Sequence, residues 1–244
     1  MTQGQDWFAR ARSFGANAEA YERTRPSYPA DAVSWLVGEE RLRVLDLGAG
    51  TGKLSRSLVA LGHDVVAVEP SAEMLAQLRR VLPDVEAIEG SAEQIPLAAG
   101  SVDFVVAGQA FHWFEPTAAL PEISRVLRPG GTLGAIWNLL DETSLLVSEL
   151  YALLPPFGGS GEPIDALVES TLFGAVEEET FGFTRLFSRD ELVDGVATQS
   201  SVATLPPDER AGTLESVGRF YDEAAGPDGL ALPYLTSAYR AGKR

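Results

Sequence analysis

"VLDLGAGTGKL", residues 44 to 54, sets Gly48, Gly50 and Gly52 between a short apolar run and a helical one. The run before them, "RVLDLG", reads as a strand. After them Leu54, Leu58 and Leu61 recur at i, i+4 and i+7, and Gly62 closes the helix. A strand, a glycine turn and a helix open an α/β unit, and ligands of such sheets bind outside the carboxyl ends of the strands. Glycines allow close backbone approach to a ligand, and the helix start offers unsatisfied N–H groups.

Outward from this turn, strands and helices alternate. "DVVAVE" (64–69), "VEAIEG" (85–90), "SVDFVVAG" (101–108) and "TLGAIWN" (132–138) are further strands. "SAEMLAQLRRVL" (71–82) and "EPTAALPEISRVL" (115–127) are helices with one apolar side, and "RPGG" (128–131) is a turn. This order predicts a parallel sheet with helices on both faces, because right-handed crossovers leave few other topologies. The strands are nearly all apolar, as strands covered on both faces are.

Upstream, Phe14, Ala18 and Tyr21 share a helical face that Pro26 ends, and Pro29 opens a second helix that buries Ala32, Trp35 and Leu36. Past residue 140, "ELYALLPPFGGSGEP" (149–163) is a helix entering a Pro/Gly-rich loop. "EEETFGFTRLFS" (177–188) and "LPYLTSAYR" (232–240) are two late strands, expected to complete the sheet with an antiparallel edge.

Composition narrows the function. The 244 residues include 19 basic and 35 acidic ones, a net charge of −16, which argues against nucleic acid as a partner. The absence of cysteine excludes disulfides, thiolate metal sites and cysteine nucleophiles, and two histidines leave little room for a histidine-rich metal site, so no metal is expected. No leader peptide and no apolar run near the roughly 20 residues of a membrane span are read, so a cytoplasmic protein acting as monomer or homodimer is expected.

Three motifs compete for the glycine turn. A P-loop needs glycine at Leu47 and Ser or Thr at Leu54. The dinucleotide fingerprint needs glycine or alanine at Lys53. An NAD(P)-dependent oxidoreductase stays the alternative, because Glu69, an acid ending the second strand, serves ribose in that class too. The third pattern, D-x-G-x-G-x-G from Asp46 to Gly52, resembles the nucleotide motif of the class I S-adenosylmethionine-dependent methyltransferases. The resemblance extends in order through "FGANAEAYERTRPSYP", "VVAVEPSAEML", "GSAEQIPLAAGSVDFVVAGQAFHWFE", "LRPGG" and "WNLLD". It is closest to the small-molecule branch that includes trans-aconitate methyltransferase (type 11). Leu140 departs from it, standing where relatives often carry arginine.

The resemblance implies a three-layer, Rossmann-like α/β sandwich. Its seven-stranded, mostly parallel sheet has the order 3-2-1-4-5-7-6 with an antiparallel edge strand. Residues 1–244 would form one methyltransferase domain: an N-terminal helical lid (1–40), a cofactor-binding core (41–140), a helical and loop cover over the acceptor site (141–182) and the late strands (183–244). The implied cofactor is S-adenosyl-L-methionine and the implied partner a small-molecule acceptor, methylated at oxygen. A cofactor-binding protein without turnover is a further alternative. "GQAFHW" stands where amino-group methyltransferases of nucleic acids and proteins carry an "NPPY"-type sequence.

The same resemblance gives site residues. Tyr21 and Arg25 approach the cofactor carboxylate, and Asp46 its ammonium side. Gly48, Ala49, Gly50 and Thr51 form the turn, Glu69 holds the ribose and Pro70 lies on adenine. Ser91, Ala92 and Glu93 flank adenine, with a helix start capped by Ser91 as the bland alternative. Gln109 lines the methionine portion. Phe14, Tyr28, Trp113, Trp137 and Asn138 border the acceptor, and Tyr151, Phe157 and Phe173 belong to a mobile cover. His112 follows strand four and is a base, a substrate or cofactor-site contact, or a structural histidine. His63, in a turn, is expected at the surface.

Overall fold

Along the central strands, successive side chains enter two different cores. In the computed structural model, which describes residues 24–156 and 164–244, β1 (Arg43–Leu47) sends Leu45 and Leu47 to one side and Val44 to the other. β4 (Val102–Gly108) divides likewise, Val105 and Ala107 opposite Phe104 and Val106. The period of two comes from the pleat. Each set is apolar, so each face demands its own cover.

Helices supply it. On one side α1 (Ala30–Val37) and α2 (Lys53–Ala60) bring Ala32, Val33, Leu36, Leu54 and Leu58. On the other, α4 (Pro116–Val126) brings Leu120, Ile123 and Val126. α3 (Ala72–Val81), between β2 (Asp64–Glu69) and β3 (Glu86–Glu89), adds Leu78 against Ala49 and Ala67. Its start is fixed locally: the Ser71 hydroxyl accepts the Met74 N–H at 3.3 Å, a cap worth about 1 kcal/mol.

β1 pairs in parallel with β2 and β4, β2 with β3, and β4 with β5 (Leu127–Leu140). The complete order is β3-β2-β1-β4-β5-β7-β6, with β6 at Glu177–Phe187 and β7 at Leu230–Gly242. β7 runs antiparallel to both of its neighbours. The expected seven-stranded order and mostly parallel sheet are therefore present. One detail differs. "RPGG", expected as a turn before strand five, lies inside β5, where the register jumps from Val102–Leu127 to Phe104–Thr132. The four residues bulge out and the strand resumes.

Two compact units are distinguished: Ser27–Asn138, Gly161–Phe181 and Thr236–Arg244 in one; Met1–Pro26, Leu139–Ser160 and Gly182–Leu235 in the other. The first contains the two cores above. The second has its own core, where Val147 and Leu150 of α5 (Leu145–Ala152), Leu192 and Val196 of α7 (Arg189–Ala197) and Val217 of α9 (Pro207–Ala224) pack with Phe187, Leu230 and Leu232. Two short helices, α6 (Asp165–Val168) and α8 (Ser200–Ala203), complete the set of described helices. No helix among the described residues is long and apolar enough to cross a membrane.

Candidate active site

The glycine turn is built from backbone that other residues avoid: φ is +72° at Gly48, +56° at Gly50 and +89° at Gly52. The N–H groups of Gly48 and Ala49 both donate to the Val68 carbonyl, at 2.8 and 3.1 Å. The turn is thus fastened to the end of β2, where Glu69 stands. Its carboxylate accepts the Gly50 N–H at 2.8 Å and the Ser71 N–H at 2.9 Å, one on each oxygen. The side chain is held across the mouth of the turn while only 7% of the residue is exposed. Burial pushes its pKa up, and the two N–H donors oppose that shift.

Asp46 sits beneath, 1% exposed. Ser55, on α2, donates its hydroxyl to Oδ2 at 2.6 Å, whereas Oδ1 is buried with no hydrogen-bond partner. Burial raises the pKa to about 7 against the pull of Ser55, with a small push from the Glu69 charge. Ser55 was not singled out from the sequence. Its place in the first turn of a helix that starts at the glycines is the signal that finds it.

The turn after β4 meets the glycines directly. A Cβ at Gly48 would fall 2.7 Å from that of Ala110. Gln109 has φ +56°, rare outside glycine. It is pinned by its N–H to Ile136 O at 2.9 Å and its side-chain amide to Asn138 O at 2.8 Å. Asn138 in turn donates to Ser27 O at 3.3 Å and accepts from Thr236 Oγ1 at 2.6 Å. Tyr28 arrives from the segment before α1. A Cβ at Gly108 would meet its hydroxyl at 2.7 Å, so glycine leaves room for that ring.

Phe111, His112 and Trp113 form one 3-10 turn. Phe111 is buried against Phe114, ring centres 5.7 Å apart. His112 keeps exposed surface. Its ring lies 4.7 Å from that of Trp113 and 6.3 Å from that of Trp137, and its Nδ1 accepts the Trp137 indole N–H at 3.2 Å. The packing around this edge lowers its pKa to about 4. Ala92 is buried, and Glu93 accepts the Glu115 N–H at 3.0 Å. Ser91 bridges to Gln94 in extended fashion, so the alternative of a helix starting there does not hold.

Asp46, Gly48, Ala49, Gly50, Thr51, Glu69, Pro70, Ser91, Ala92, Glu93, Gln109, His112, Trp113, Trp137, Asn138 and Tyr28 thus all belong to one compact unit. Phe14, Tyr21 and Phe157 lie outside the described residues. Arg25 belongs to the other unit, where its charge acts on Tyr151 and Tyr234. Two expectations are corrected. His63 is buried, 6% exposed, because its Nδ1 accepts the Leu42 N–H at 3.3 Å just ahead of β1. Phe173, expected in a mobile cover, is fully buried in the core beside Leu167 and Ala241.

A family model described as a methyltransferase domain matches residues 45–135. An uncharacterized methyltransferase of Mycobacterium tuberculosis is 46% identical over 233 residues, covering 94% of this chain and 95% of its own. One from Schizosaccharomyces pombe is 34% identical over 244 residues, covering 95% and 97%. Among solved structures, a candidate type II methyltransferase of Anaeromyxobacter dehalogenans superposes with a TM-score of 0.66 at 25% identity, over 90% of this chain and 97% of that one.

Proposed function

Because this chain belongs to the class I S-adenosylmethionine-dependent methyltransferases, we propose that it methylates a small molecule at oxygen, with the glycine turn, Glu69 and the turn after β4 as its machinery. Its cofactor is S-adenosyl-L-methionine. When bound, that cofactor supplies an activated methyl group and a thioether leaving group. The protein's own contribution is alignment and exclusion of water, which in well-oriented systems is worth on the order of 7–11 kcal/mol.

The residues present fit such a cofactor. The observation that carries the reading is the pair Glu69 and Asp46 on either side of the glycine turn. Glu69 is oriented by two amides, and each of its oxygens keeps a lone pair for a ribose hydroxyl. Asp46 has a buried oxygen without a partner, which suits the ammonium side of an amino acid and repels phosphate. Ala92, Glu93 and Pro70 are assigned to adenine, and Gln109 to the methionine portion. Tyr28, His112, Trp113, Trp137 and Asn138 are assigned to the acceptor.

Oxygen is favoured because an ionised oxygen acceptor needs no base, and the pKa of His112, about 4, makes that ring a weak one. A malonyl-[acyl-carrier protein] O-methyltransferase of Pectobacterium atrosepticum is 34% identical over 158 residues, which supports the same choice. The nicotinamide alternative gains no support: Lys53, the first residue of α2, stands where close helix packing wants glycine or alanine.

Calorimetry with S-adenosylhomocysteine and with NADH, followed by mass-spectrometric screening of carboxylic acids, alcohols and phenols, tests the reading. Binding of S-adenosylhomocysteine and a product heavier by one methylene are expected. Binding of NADH alone would overturn it. Tight cofactor binding with no product from any acceptor would favour a protein that acts without turnover.

A further inference from the structure

The indole N–H of Trp137 has one thing it can do, which is donate. Trp137 is 3% exposed near the end of β5, and Tyr239 packs edge-on against its ring at 5.8 Å. Buried indoles take a partner for that N–H, and here the partner is His112 Nδ1 at 3.2 Å. A ring nitrogen that accepts a hydrogen bond carries no proton, so the proton of the neutral imidazole is on Nε2. The opposite tautomer would set two N–H groups against each other at this distance.

We propose that Trp137 is a positioning residue that holds His112 as the neutral Nε2–H tautomer, so that the site presents a hydrogen-bond donor to the methyl acceptor and no general base. The inference rests on reading the turn after β4 as the acceptor's side of the site. Nδ1 is engaged by Trp137, which leaves Nε2 as the ring's remaining polar atom, and that atom has no free lone pair with which to take a proton. Packing against Trp113 and Trp137 on one edge lowers the pKa of His112, and no charged group contributes to it. The neutral ring therefore persists across the physiological range.

The consequence for the acceptor is chemical. Its reacting oxygen must arrive without a proton, as a carboxylate does. The oxygen then bonds to the methyl carbon as the carbon–sulfur bond breaks. One negative and one positive charge are lost together, giving an ester and a thioether, and no proton moves. His112 stabilises the acceptor's orientation by donating to one of its oxygens.

Side-chain nitrogen NMR on the full chain decides the matter. With only two histidines, the His112→Asn variant assigns the spectrum. Between pH 5.5 and 8, His112 is expected to show a bare Nδ1 and a protonated Nε2, with no titration. In Trp137→Phe, which keeps a flat ring and removes the N–H, the two neutral tautomers should mix, while the low midpoint, set by the packing of the ring, should stay. A protonated Nδ1 in the wild type, a wild-type midpoint near 6.5, or a Trp137→Phe spectrum identical to wild type would each overturn the proposal. If Trp137→Phe does not fold by circular dichroism, the wild-type tautomer and titration alone decide. Failure of the wild type to bind S-adenosylhomocysteine would instead overturn the assignment of the site, a result independent of the tautomer.

Discussion

Asp46 is the residue where stability and function pull apart. Its folded pKa of about 7 lies above its ordinary 3.8. The folded chain therefore takes up a proton before the unfolded chain does as pH falls. Stability from this group is present in full below about 3.8, declines as pH rises, and is gone above about 7. In Asp46→Asn that dependence disappears, and the Ser55 hydroxyl keeps an acceptor. At pH 8 the variant should be more stable than wild type by on the order of 2 kcal/mol, about 4–8 °C in melting temperature. Its affinity for S-adenosylhomocysteine should fall, because an amide cannot neutralise an ammonium group. Melting curves from pH 4 to 8 and calorimetry check both halves. Equal melting temperatures at pH 8 would contradict the burial of a charge. Glu69→Ala is different: it strands the Gly50 and Ser71 N–H groups and removes the carboxylate. Cofactor affinity is expected to drop about 10- to 100-fold, a loss of about 1.4–2.7 kcal/mol, and an unchanged affinity would remove Glu69 from the ribose.

At the scale of elements, what the sequence made legible was local. The strand, glycine turn and helix at 43–60 are written in adjacent residues, and so is the division of alternate side chains between two cores. What escaped depends on partners far along the chain. Asn138 meets Thr236 across 98 positions and Ser27 across 111, and no periodicity points to either. His112 and Trp137 are 25 apart, and their bond exists only because β4 and β5 are neighbours. The bulge at "RPGG" follows from pairing with Asp103's strand, again a partner invisible from the motif. The contact between the glycine turn and the turn after β4 yields a prediction at this scale. Gly48→Ala adds a Cβ at φ +72° and 2.7 Å from Ala110 Cβ. The left-handed conformation costs about 1–2 kcal/mol and the overlap about 1–3 more. Because the second cost displaces residues 109–110 as well, S-adenosylhomocysteine binding should fall by more than the stability loss alone explains. Calorimetry beside chemical denaturation separates the two effects, and a variant that binds normally would show that the turns are not coupled.

The charge of the whole molecule sets its response to salt. Thirty-five acidic side chains face 19 basic ones, leaving −16, so acids outnumber the cations able to pair with them. Pairs such as Arg128–Asp103 at 2.6 Å and Arg240–Glu177 at 2.7 Å lie at the surface, where each is worth at most about 1 kcal/mol and weakens as salt is added. Repulsion among the surplus carboxylates acts over a longer range and also weakens with salt. Between 0.01 and 0.15 M sodium chloride the screening length falls from about 30 to about 8 Å, which removes the long-range repulsion before it removes contacts at 3 Å. Folding concentrates the surplus charge, so repulsion destabilises the native state more than the expanded chain. Net stability is therefore expected to rise with salt over this range, by about 1 kcal/mol or about 2–4 °C in melting temperature at pH 7.5. A melting temperature that falls instead would mean that the ion pairs outweigh the excess charge. The same excess predicts no retention on immobilised DNA at 0.15 M salt, and retention there would reveal a cationic surface that the sequence totals conceal.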